Sequence, residues 1–157
     1  MQKISPFLWF DDNAEEAVDL YLSIFDNAKI TDTARYPEDS PGTPGTVMSI
    51  NFELEGQEFI ALNGGPEFTF NESISFLVRC EDQEEVDRLW DRLTEGGKPS
   101  QCGWLVDRFG LSWQIIPNLL PELLGGSDPE GAQRAMQAML KMTKIDCKTL
   151  QDAYDNA

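Results

Sequence analysis

Histidine is absent from the 157-residue chain, and basic residues are few. Without histidine, the protein lacks the commonest metal-binding side chain and the usual general base at neutral pH. The 12 Lys and Arg residues are outnumbered by 28 Asp and Glu residues, which gives a formal net charge of −16. Such a charge repels the phosphates of nucleic acids and of anionic lipids, so we expect neither a nucleic acid nor a membrane surface as a partner.

Long apolar segments and paired cysteines are also missing. No run of about 18 apolar residues occurs, so no membrane span is predicted. The three cysteines, Cys80, Cys102 and Cys147, are widely spaced and form no Cys-x-x-Cys pair, which argues against a disulfide framework and a zinc site. The first residues lead directly into a strand pattern without the features of a signal peptide. Together these features favour a protein of the reducing cytoplasm.

The remaining composition is that of an ordinary globular protein. Hydrophobic residues make up 41% of the chain and charged residues 25%, as is usual for this class. A chain of this length buries roughly two-thirds of the surface that its unfolded form exposes, so it needs neither disulfides nor metals for stability. We therefore predict one domain over residues 1–157.

The first part of the chain predicts one strand, one helix and three further strands. The first strand covers 4–10, and Asn13 is the expected N-cap of the helix that follows. The apolar residues of this helix have the i, i+3, i+4, i+7 spacing of a face that packs on a sheet: Val18, Tyr21, Leu22 and Phe25. The further strands are predicted over 28–36, 46–54 and 58–63. A loop rich in Pro and Gly covers 37–46.

The second part of the chain repeats this order of elements. A strand is predicted around 74–78, and Asp82 is the expected N-cap of the next helix. The apolar residues of that helix have the same spacing as those of the first: Val86, Leu89, Trp90 and Leu93. Three short strands are predicted near 99–100, 104–107 and 112–116. The repetition predicts an α+β fold of two tandem βαβββ modules, with module one over 1–64, a linker over 65–72 and module two over 73–117.

A helical extension is predicted after the second module, over 118–157. The segment Ser127-Asp128-Pro129-Glu130 is typical of a capping box with Pro in the first helical turn, and Asp146 begins a last short helix. The first of these helices and the segment after it carry three methionines: Met136, Met139 and Met142. These side chains either pack against the sheet as core or form an adaptable interface for a partner.

The segment 102–117 predicts a strand, a tight turn and a second strand. Residues 107–110 are turn formers, and the residues of 113–116 other than Gln114 are strong strand formers. An amide in so apolar a strand requires a hydrogen-bonding partner. Gln114 therefore either binds a ligand or bonds to a neighbouring strand or to Asn63. Asn63, which ends the last strand of module one, is itself either a ligand-binding residue that faces Gln114 or a turn former.

Taken together, these motifs resemble the glyoxalase/bleomycin-resistance/dioxygenase superfamily, also called the vicinal-oxygen-chelate superfamily. Within it the chain is similar to the PhnB-like branch, which often carries the name 3-demethylubiquinone-9 3-methyltransferase. The resemblance covers essentially the whole chain and rests on the segments 13–17, 62–66, 83–87, 96–97 and 102–117, together with Tyr21, Phe25, Phe76 and Trp90. It implies that each module curls its sheet, that the two modules enclose a cleft, and that the protein forms a homodimer.

The resemblance also implies where a metal would be bound. Metal-using members of the superfamily place four ligands, usually His and Glu, on the first and last strands of each module. The corresponding positions in this chain are Pro6, Asn63, Ser73 or Ser75, and Gln114. None of these is His, Asp or Glu, whereas a divalent transition metal needs three or more good donors. We therefore expect no metal and no cofactor.

A shift of the register by one or two residues would change that expectation. It would bring the carboxylate of Glu67 or Glu72 to a ligand position. Either residue would then be a candidate metal ligand.

Four further side chains are candidates for a ligand site. Three are tryptophans that either line a pocket or pack in the core: Trp9, Trp104 and Trp113. The fourth is Cys102, the candidate nucleophile, whose thiolate would need Lys98 or Arg108 to stabilise it because no histidine is present. The alternative for Cys102 is a buried, inert thiol.

The resemblance implies a protein that binds a small organic molecule in its cleft without a metal, and the acidic composition favours a cationic ligand. One alternative is a metal-dependent lyase, isomerase or dioxygenase of the same superfamily. Another is a protein-interaction module that uses the Met-rich helix. Methyl transfer is not favoured. The Gly-rich turn at 64–66 joins the two modules instead of opening a nucleotide-binding helix, and Pro66 has no backbone N–H.

Overall fold

A computed structural model describes residues 2–156. Its strands are β1 Phe7–Phe10, β2 Ala28–Arg35, β3 Val47–Leu54, β4 Gln57–Asn63, β5 Ser75–Cys80, β6 Lys98–Pro99, β7 Trp104–Val106 and β8 Ser112–Pro117. Its helices are α1 Ala14–Ile24, α2 Gln83–Thr94, α3 Leu119–Leu124, α4 Pro129–Met139 and α5 Cys147–Asp155. The chain divides into two compact units, the first ending at Phe70 and the second beginning at Asn71.

The first unit is a four-stranded mixed sheet with α1 packed on one face. The strand order is β1-β4-β3-β2, with β1 parallel to β4 and the other pairs antiparallel. Side chains alternate between the two faces of a strand, so Leu8 and Phe10 are buried together with Phe59 and Ala61 of the paired strand, whereas Phe7 is exposed. Of the predicted stripe, Val18 and Tyr21 of α1 and Phe25 at its C-cap are buried, whereas Leu22 is half-buried.

The start of α1 differs from the sequence prediction in its capping group. Asn13 occupies the N-cap position, but its side chain makes no capping hydrogen bond. Asn63, at the end of β4, supplies the missing acceptor: its Oδ1 accepts the backbone N–H of Ala14 at 2.9 Å. The helix N-terminus has orphan N–H groups that any nearby oxygen can satisfy, so a residue from a distant strand replaces the local cap.

The second unit repeats the topology of the first. The strand order is β5-β8-β7-β6, with β5 parallel to β8 and the remaining pairs antiparallel. The predicted stripe of α2 is confirmed, since its four apolar residues Val86, Leu89, Trp90 and Leu93 are all buried. Asp82 caps the helix as predicted, by accepting the backbone N–H of Glu85 at 2.9 Å. The α+β class and the tandem βαβββ arrangement are therefore confirmed, with one four-stranded sheet in each unit.

Two strands begin later than the sequence pattern indicates. β1 starts at Phe7, and the side chain of Ile4 is 84% exposed. The carbonyl of Pro6 accepts the N–H of Ile60 at 3.0 Å, but Pro6 has no N–H with which to extend the pairing with β4. β5 starts at Ser75 rather than at Ile74. Ile4 and Ile74 are apolar residues that precede these strands, and their presence made the predicted strands longer than the hydrogen-bonded ones.

The helical extension packs into the second unit. Six buried residues form its core: Ile116, Leu120, Leu123, Ala135, Ile145 and Leu150. Met139 and Met142 pack against this core, whereas Met136 is exposed. Asp146 caps α5 as predicted, but the cap of α4 is Asp128 and not Ser127. No helix within 2–156 has the length and apolar character needed to cross a bilayer.

Candidate functional site

The second sheet has one face covered by α2 and one face free of it. Strand alternation sets Leu77 and Arg79 on the free face of β5. The register pairs Leu77 with Gln114, and Gln114 with Trp104 on the opposite neighbour, so these side chains share that face. Arg79 is paired with Ile116, two residues further along β8. The free face therefore combines an amide, a guanidinium and an aromatic ring among apolar side chains.

A cavity of about 320 Å³ lies on this free face. We call it the sheet-two cavity. Its lining residues are Leu77, Arg79, Cys102, Trp104, Gln114, Ile116, Pro117, Asn118, Leu120, Pro121, Leu124 and Met139. The strands supply its floor, and residues of α3 and α4 supply a wall. Arg79 is the single charged residue in this lining, so the cavity is mostly apolar although the chain is strongly acidic.

Gln114 makes one hydrogen bond within the protein. Its Nε2 donates to Oγ of Ser75 on the neighbouring strand at 2.9 Å. The other polar atom of the amide has no partner among the residues that the structure describes. Because a hydroxyl both donates and accepts, the amide can turn either its N–H or its oxygen towards the cavity. The bond to a neighbouring strand is therefore present, and a polar group remains for a ligand.

Cys102 lines the sheet-two cavity beside Trp104. Its backbone has a positive φ of 58°, and its N–H donates to the carbonyl of Met142 at 2.9 Å. Neither Lys98 nor Arg108, the residues expected to stabilise its thiolate, belongs to the lining. The side chain of Arg108 instead lies over the ring of Phe109. The cationic residue that does share the lining with Cys102 is Arg79.

The other two thiols are poorer nucleophiles. Burial raises the pKa of Cys80 to about 12, with a smaller contribution from the Glu85 carboxylate. Burial also raises the pKa of Cys147, helped by the neighbouring Asp146. A thiol reacts as its thiolate, so neither is suited to nucleophilic chemistry at neutral pH.

Trp113 lies on the opposite face of β8 from Gln114. It is 3% exposed, and its Nε1 donates to Oδ2 of Asp107 at 2.9 Å. The other carboxylate oxygen of Asp107 accepts the N–H groups of Phe109 and Leu111, which closes the hairpin turn. Trp113 therefore belongs to the core, where its indole N–H is satisfied, and it does not line the sheet-two cavity.

Trp9 and Asn63 belong to the first unit. Nε1 of Trp9 donates to the carbonyl of Gly65, and its ring lies edge-on to Phe68 at 4.9 Å between centroids. Besides capping α1, Asn63 donates through Nδ2 to Glu15 at 2.7 Å and to the carbonyl of Val47 at 3.1 Å. Asn63 thus has a structural role at the start of α1. The sequence had suggested only a turn former or a ligand-binding residue that faces Gln114.

Asn63 also borders a second cavity, of about 420 Å³, under the loop at 37–46. The lining of this cavity includes three carboxylates, Asp11, Asp12 and Glu15, and the ring of Tyr36. Trp9 is not part of it. The candidate residues therefore separate into two groups, with Gln114, Trp104 and Cys102 together in the second unit.

Two parts of the sheet-two cavity were missed by the sequence analysis. Arg79 was not singled out, although its alternation with Leu77 and Ser75 sets it on the same face of β5. The wall formed by Leu120 and Leu124 was missed because α3 has only six residues, too few for a helical period to be recognised.

The residues at the expected ligand positions do not fit a divalent transition metal. Asn63 is engaged with α1, and Ser75 and Gln114 are hydrogen-bonded to each other. Their hydroxyl and amide groups are neutral, whereas such metals prefer thiolate, imidazole and carboxylate ligands. No group of three His, Cys, Asp or Glu suited to a metal occurs within 2–156. Glu67 and Glu72 are exposed and lie between β4 and β5.

The Gly-rich turn after β4 has no backbone donors left for a ligand. The N–H of Gly64 donates to the carbonyl of Phe10 at 2.8 Å, and that of Gly65 to the carbonyl of Asp11 at 3.0 Å. Turns that bind nucleotides present free N–H groups to phosphates at the start of a helix. This turn instead ties the end of β4 to the end of β1.

Comparison with known proteins identifies relatives of this chain. The family model described as 3-demethylubiquinone-9 3-methyltransferase matches residues 2–116. A PhnB protein from Bacillus cereus, described by the same methyltransferase name, is 38% identical, covering 74% of this chain and 99% of its own, with a TM-score of 0.68. None of the curated proteins compared with this chain matches it significantly.

More distant structures share the fold. Protein PA1353 from Pseudomonas aeruginosa is 21% identical over 74% of this chain and 98% of its own, with a TM-score of 0.61. The fosfomycin resistance protein FosX from Listeria monocytogenes, solved with Mn(II) and sulfate, is 15% identical over 79% of this chain and 97% of its own, with a TM-score of 0.55. At these identities the likeness establishes a glyoxalase-type fold.

The family match ends at residue 116, directly before the helical extension. Helices α3, α4 and α5 therefore lie outside the matched region. The sheet-two cavity consequently combines a floor that belongs to the family with a wall that this chain adds through Leu120, Leu124 and Met139.

Proposed function

Because this chain belongs to the 3-demethylubiquinone-9 3-methyltransferase family, in its PhnB-like branch, we propose that it binds a small organic molecule in the sheet-two cavity without a resident metal. The observation that carries the proposal is the cavity itself, of about 320 Å³ and lined mostly by apolar side chains. Small-molecule sites are typically concave and apolar, with volumes from roughly 300 Å³ upward and a few polar groups that orient the ligand.

The polar groups of the lining support a binding role. Gln114 has an amide group without a second partner among the described residues, and Trp104 offers an aromatic surface beside it. A ligand that hydrogen-bonds to the amide would replace water there, and its apolar part would be removed from water by the surrounding side chains. These features favour reversible, non-covalent binding.

Methyl transfer finds no support in the chain despite the family's name. The donors of Gly64 and Gly65 are already used by backbone carbonyls, so this turn does not offer the N–H groups that a nucleotide-like methyl donor requires. Each sheet has a single parallel pair and one helix between its first two strands, unlike the alternating parallel sheet of such enzymes. The proposed function is therefore binding.

The setting of this function is also part of the proposal. Three free cysteines suit the reducing cytoplasm, and the superfamily resemblance implies a homodimer. Gel filtration with light scattering would test the dimer, and a monomer at micromolar concentration would contradict it.

A cavity-filling variant tests the binding site. Leu77 lies in the lining with its side chain 44% exposed, so Leu77→Trp fills the cavity without disturbing the core. Ile30 of β2 is equally exposed, at 44%, and Ile30→Trp is the matched control in the other unit. Ligand-observed NMR with a library of small neutral and charged organic molecules should find binders of the wild type and of Ile30→Trp.

The same binders should lose their saturation-transfer signal with Leu77→Trp. Binders that are retained by this variant would bind elsewhere and would contradict the proposed site. Elemental analysis of the dialysed protein, after incubation with Mg²⁺, Mn²⁺, Ni²⁺ or Zn²⁺, accompanies the screen. One tightly held ion per chain would refute the metal-free part of the proposal and favour a metal-dependent enzyme.

A further inference from the structure

We infer that the ligand of the sheet-two cavity is a small organic anion whose carboxylate, or comparable acidic group, pairs with Arg79. This inference rests on the proposed function, because it names the chemical class that the same cavity takes. Its starting point is the charge of the lining, in which Arg79 is the single ionised side chain.

Arg79 makes no hydrogen bond or ion pair with any other residue in 2–156. Other arginines of the chain are engaged. Arg134 donates to the carbonyls of Ala153 and Tyr154, at 2.8 and 2.6 Å, and Arg35 donates to the carbonyl of Gly45. The guanidinium of Arg79 is exposed and has no acidic partner within 2–156, although the chain has 28 Asp and Glu residues. Its five donors are directed by a rigid plane that suits a carboxylate.

No carboxylate of the protein competes for Arg79 within the cavity, since the lining contains neither Asp nor Glu. A cationic ligand would meet a guanidinium there and no opposite charge. The lining therefore favours an anion.

The strand register sets the polar groups at a useful separation. Arg79 is paired with Ile116, which lies two residues beyond Gln114 on β8. Two residues along a strand correspond to roughly 6.6 Å. One ligand can therefore reach both the guanidinium and the amide. Its apolar part would lie against the wall that α3 and α4 contribute, in particular Leu124 and Met139.

This inference reverses the expectation of a cationic ligand that the composition suggested. The net charge of −16 describes the whole chain, and its field at the surface is screened over about 8 Å at physiological ionic strength. The groups that touch a ligand decide its charge, and in this lining the charged group is Arg79.

Three probes with one apolar body and different charges test the inference: phenylpropanoate, phenylpropanamide and phenylpropylamine. Affinities are measured by titration of the full-length protein at physiological ionic strength, with the indole N–H signals followed by NMR. We expect the wild type to bind the carboxylate about tenfold more tightly than the amide, as for a charge-assisted hydrogen bond. The amine should bind more weakly than both.

The variant Arg79→Gln should lose this tenfold preference while its affinity for the amide stays within about twofold of the wild type. Arg79→Lys should retain part of the preference, because it keeps the charge and loses the planar fork. Lys141→Gln is the control, since it makes the same change in net charge at an exposed residue outside the lining. It should behave as the wild type.

The outcomes separate the two proposals. Equal binding of the three probes to the wild type, or an unchanged preference in Arg79→Gln, would overturn the anion inference. If Leu77→Trp still blocked the probes in that case, the sheet-two cavity would remain the binding site. Probes that bind to Leu77→Trp with the same affinity as to the wild type would contradict the proposed function itself. A carboxylate probe that does not bind to the wild type would overturn the anion inference.

Discussion

The substitution Ile145→Ala tests whether the helical extension is an integral part of the second unit. Ile145 is fully buried, at 0% exposure, in the core that the extension shares with Ile116 of β8. Its carbonyl accepts Nε2 of Gln83 on α2 at 2.9 Å. A Cβ added at Gly103 would lie 3.1 Å from Cγ1 of Ile145, so the side chain is also packed closely on the turn before β7.

The expected loss of stability in Ile145→Ala follows from this burial. The substitution removes the side-chain carbons beyond Cβ, and at roughly 0.8 kcal/mol for each buried methylene-sized group the lost transfer free energy is about 2.4 kcal/mol. The cavity left in a close-packed core adds to this loss, and comparable substitutions cost about 2–5 kcal/mol. We expect a loss of about 3–4 kcal/mol in the free energy of unfolding. In a chain of this size that corresponds to a decrease in Tm of roughly 6–15 °C.

Urea unfolding followed by tryptophan fluorescence measures this loss, because Trp90 and Trp113 report on the core of the second unit. The control is Ile30→Ala, where the side chain is 44% exposed and the expected loss is below about 1 kcal/mol. A loss below about 1 kcal/mol for Ile145→Ala as well would refute the reasoning. The extension would then be loosely attached, as an independent interaction module requires, and would not be a fixed wall of the cavity.

Two further predictions concern titratable groups. The hydrogen bond from Lys144, followed by that from Gln83, holds the pKa of Asp87 below its ordinary value of 3.8. Its contribution to stability is therefore present above that value and lost as the pH falls through the lower folded-state pKa, so Asp87→Asn should flatten the pH dependence of urea unfolding in that acid range; an unchanged slope would contradict this. Because burial raises the pKa of Cys80 to about 12, iodoacetamide at about pH 8 should modify Cys102 well before Cys80. Mass spectrometry of the peptides measures the order, and equal rates would show that Cys80 is not protected.

Local patterns predicted the elements that depend on few distant contacts. The stripe of α2 and the cap at Asp82 agree with the structure, because helical periodicity and capping involve residues within a few positions of each other. The cap of α1 could not be predicted in this way. Its acceptor is Asn63, whose position beside Ala14 arises from the pairing of β1 with β4.

The candidate site residues likewise include some that local sequence patterns predict and some that depend on distant contacts. Gln114 was singled out because an amide is unusual in an apolar strand, and it lies in the sheet-two cavity. Trp113 is its neighbour, and side chains of adjacent residues in a strand point to opposite faces. Alternation alone therefore implied that the two would not line the same cavity, and the buried bond of Trp113 to Asp107 agrees with this.

The sequence by itself determined the tandem βαβββ modules and the helical extension, because apolar periods of two and 3.6 residues and local capping groups can be recognised from neighbouring residues. Only the tertiary structure decided which polar residues meet. The parallel register of β5 with β8 sets Arg79 and Gln114 on one face, two residues apart along the strands, and α3 and α4 add a wall to the cavity on that face. Strand register and helix docking join residues far apart in the chain, so no local pattern specifies the site that they form.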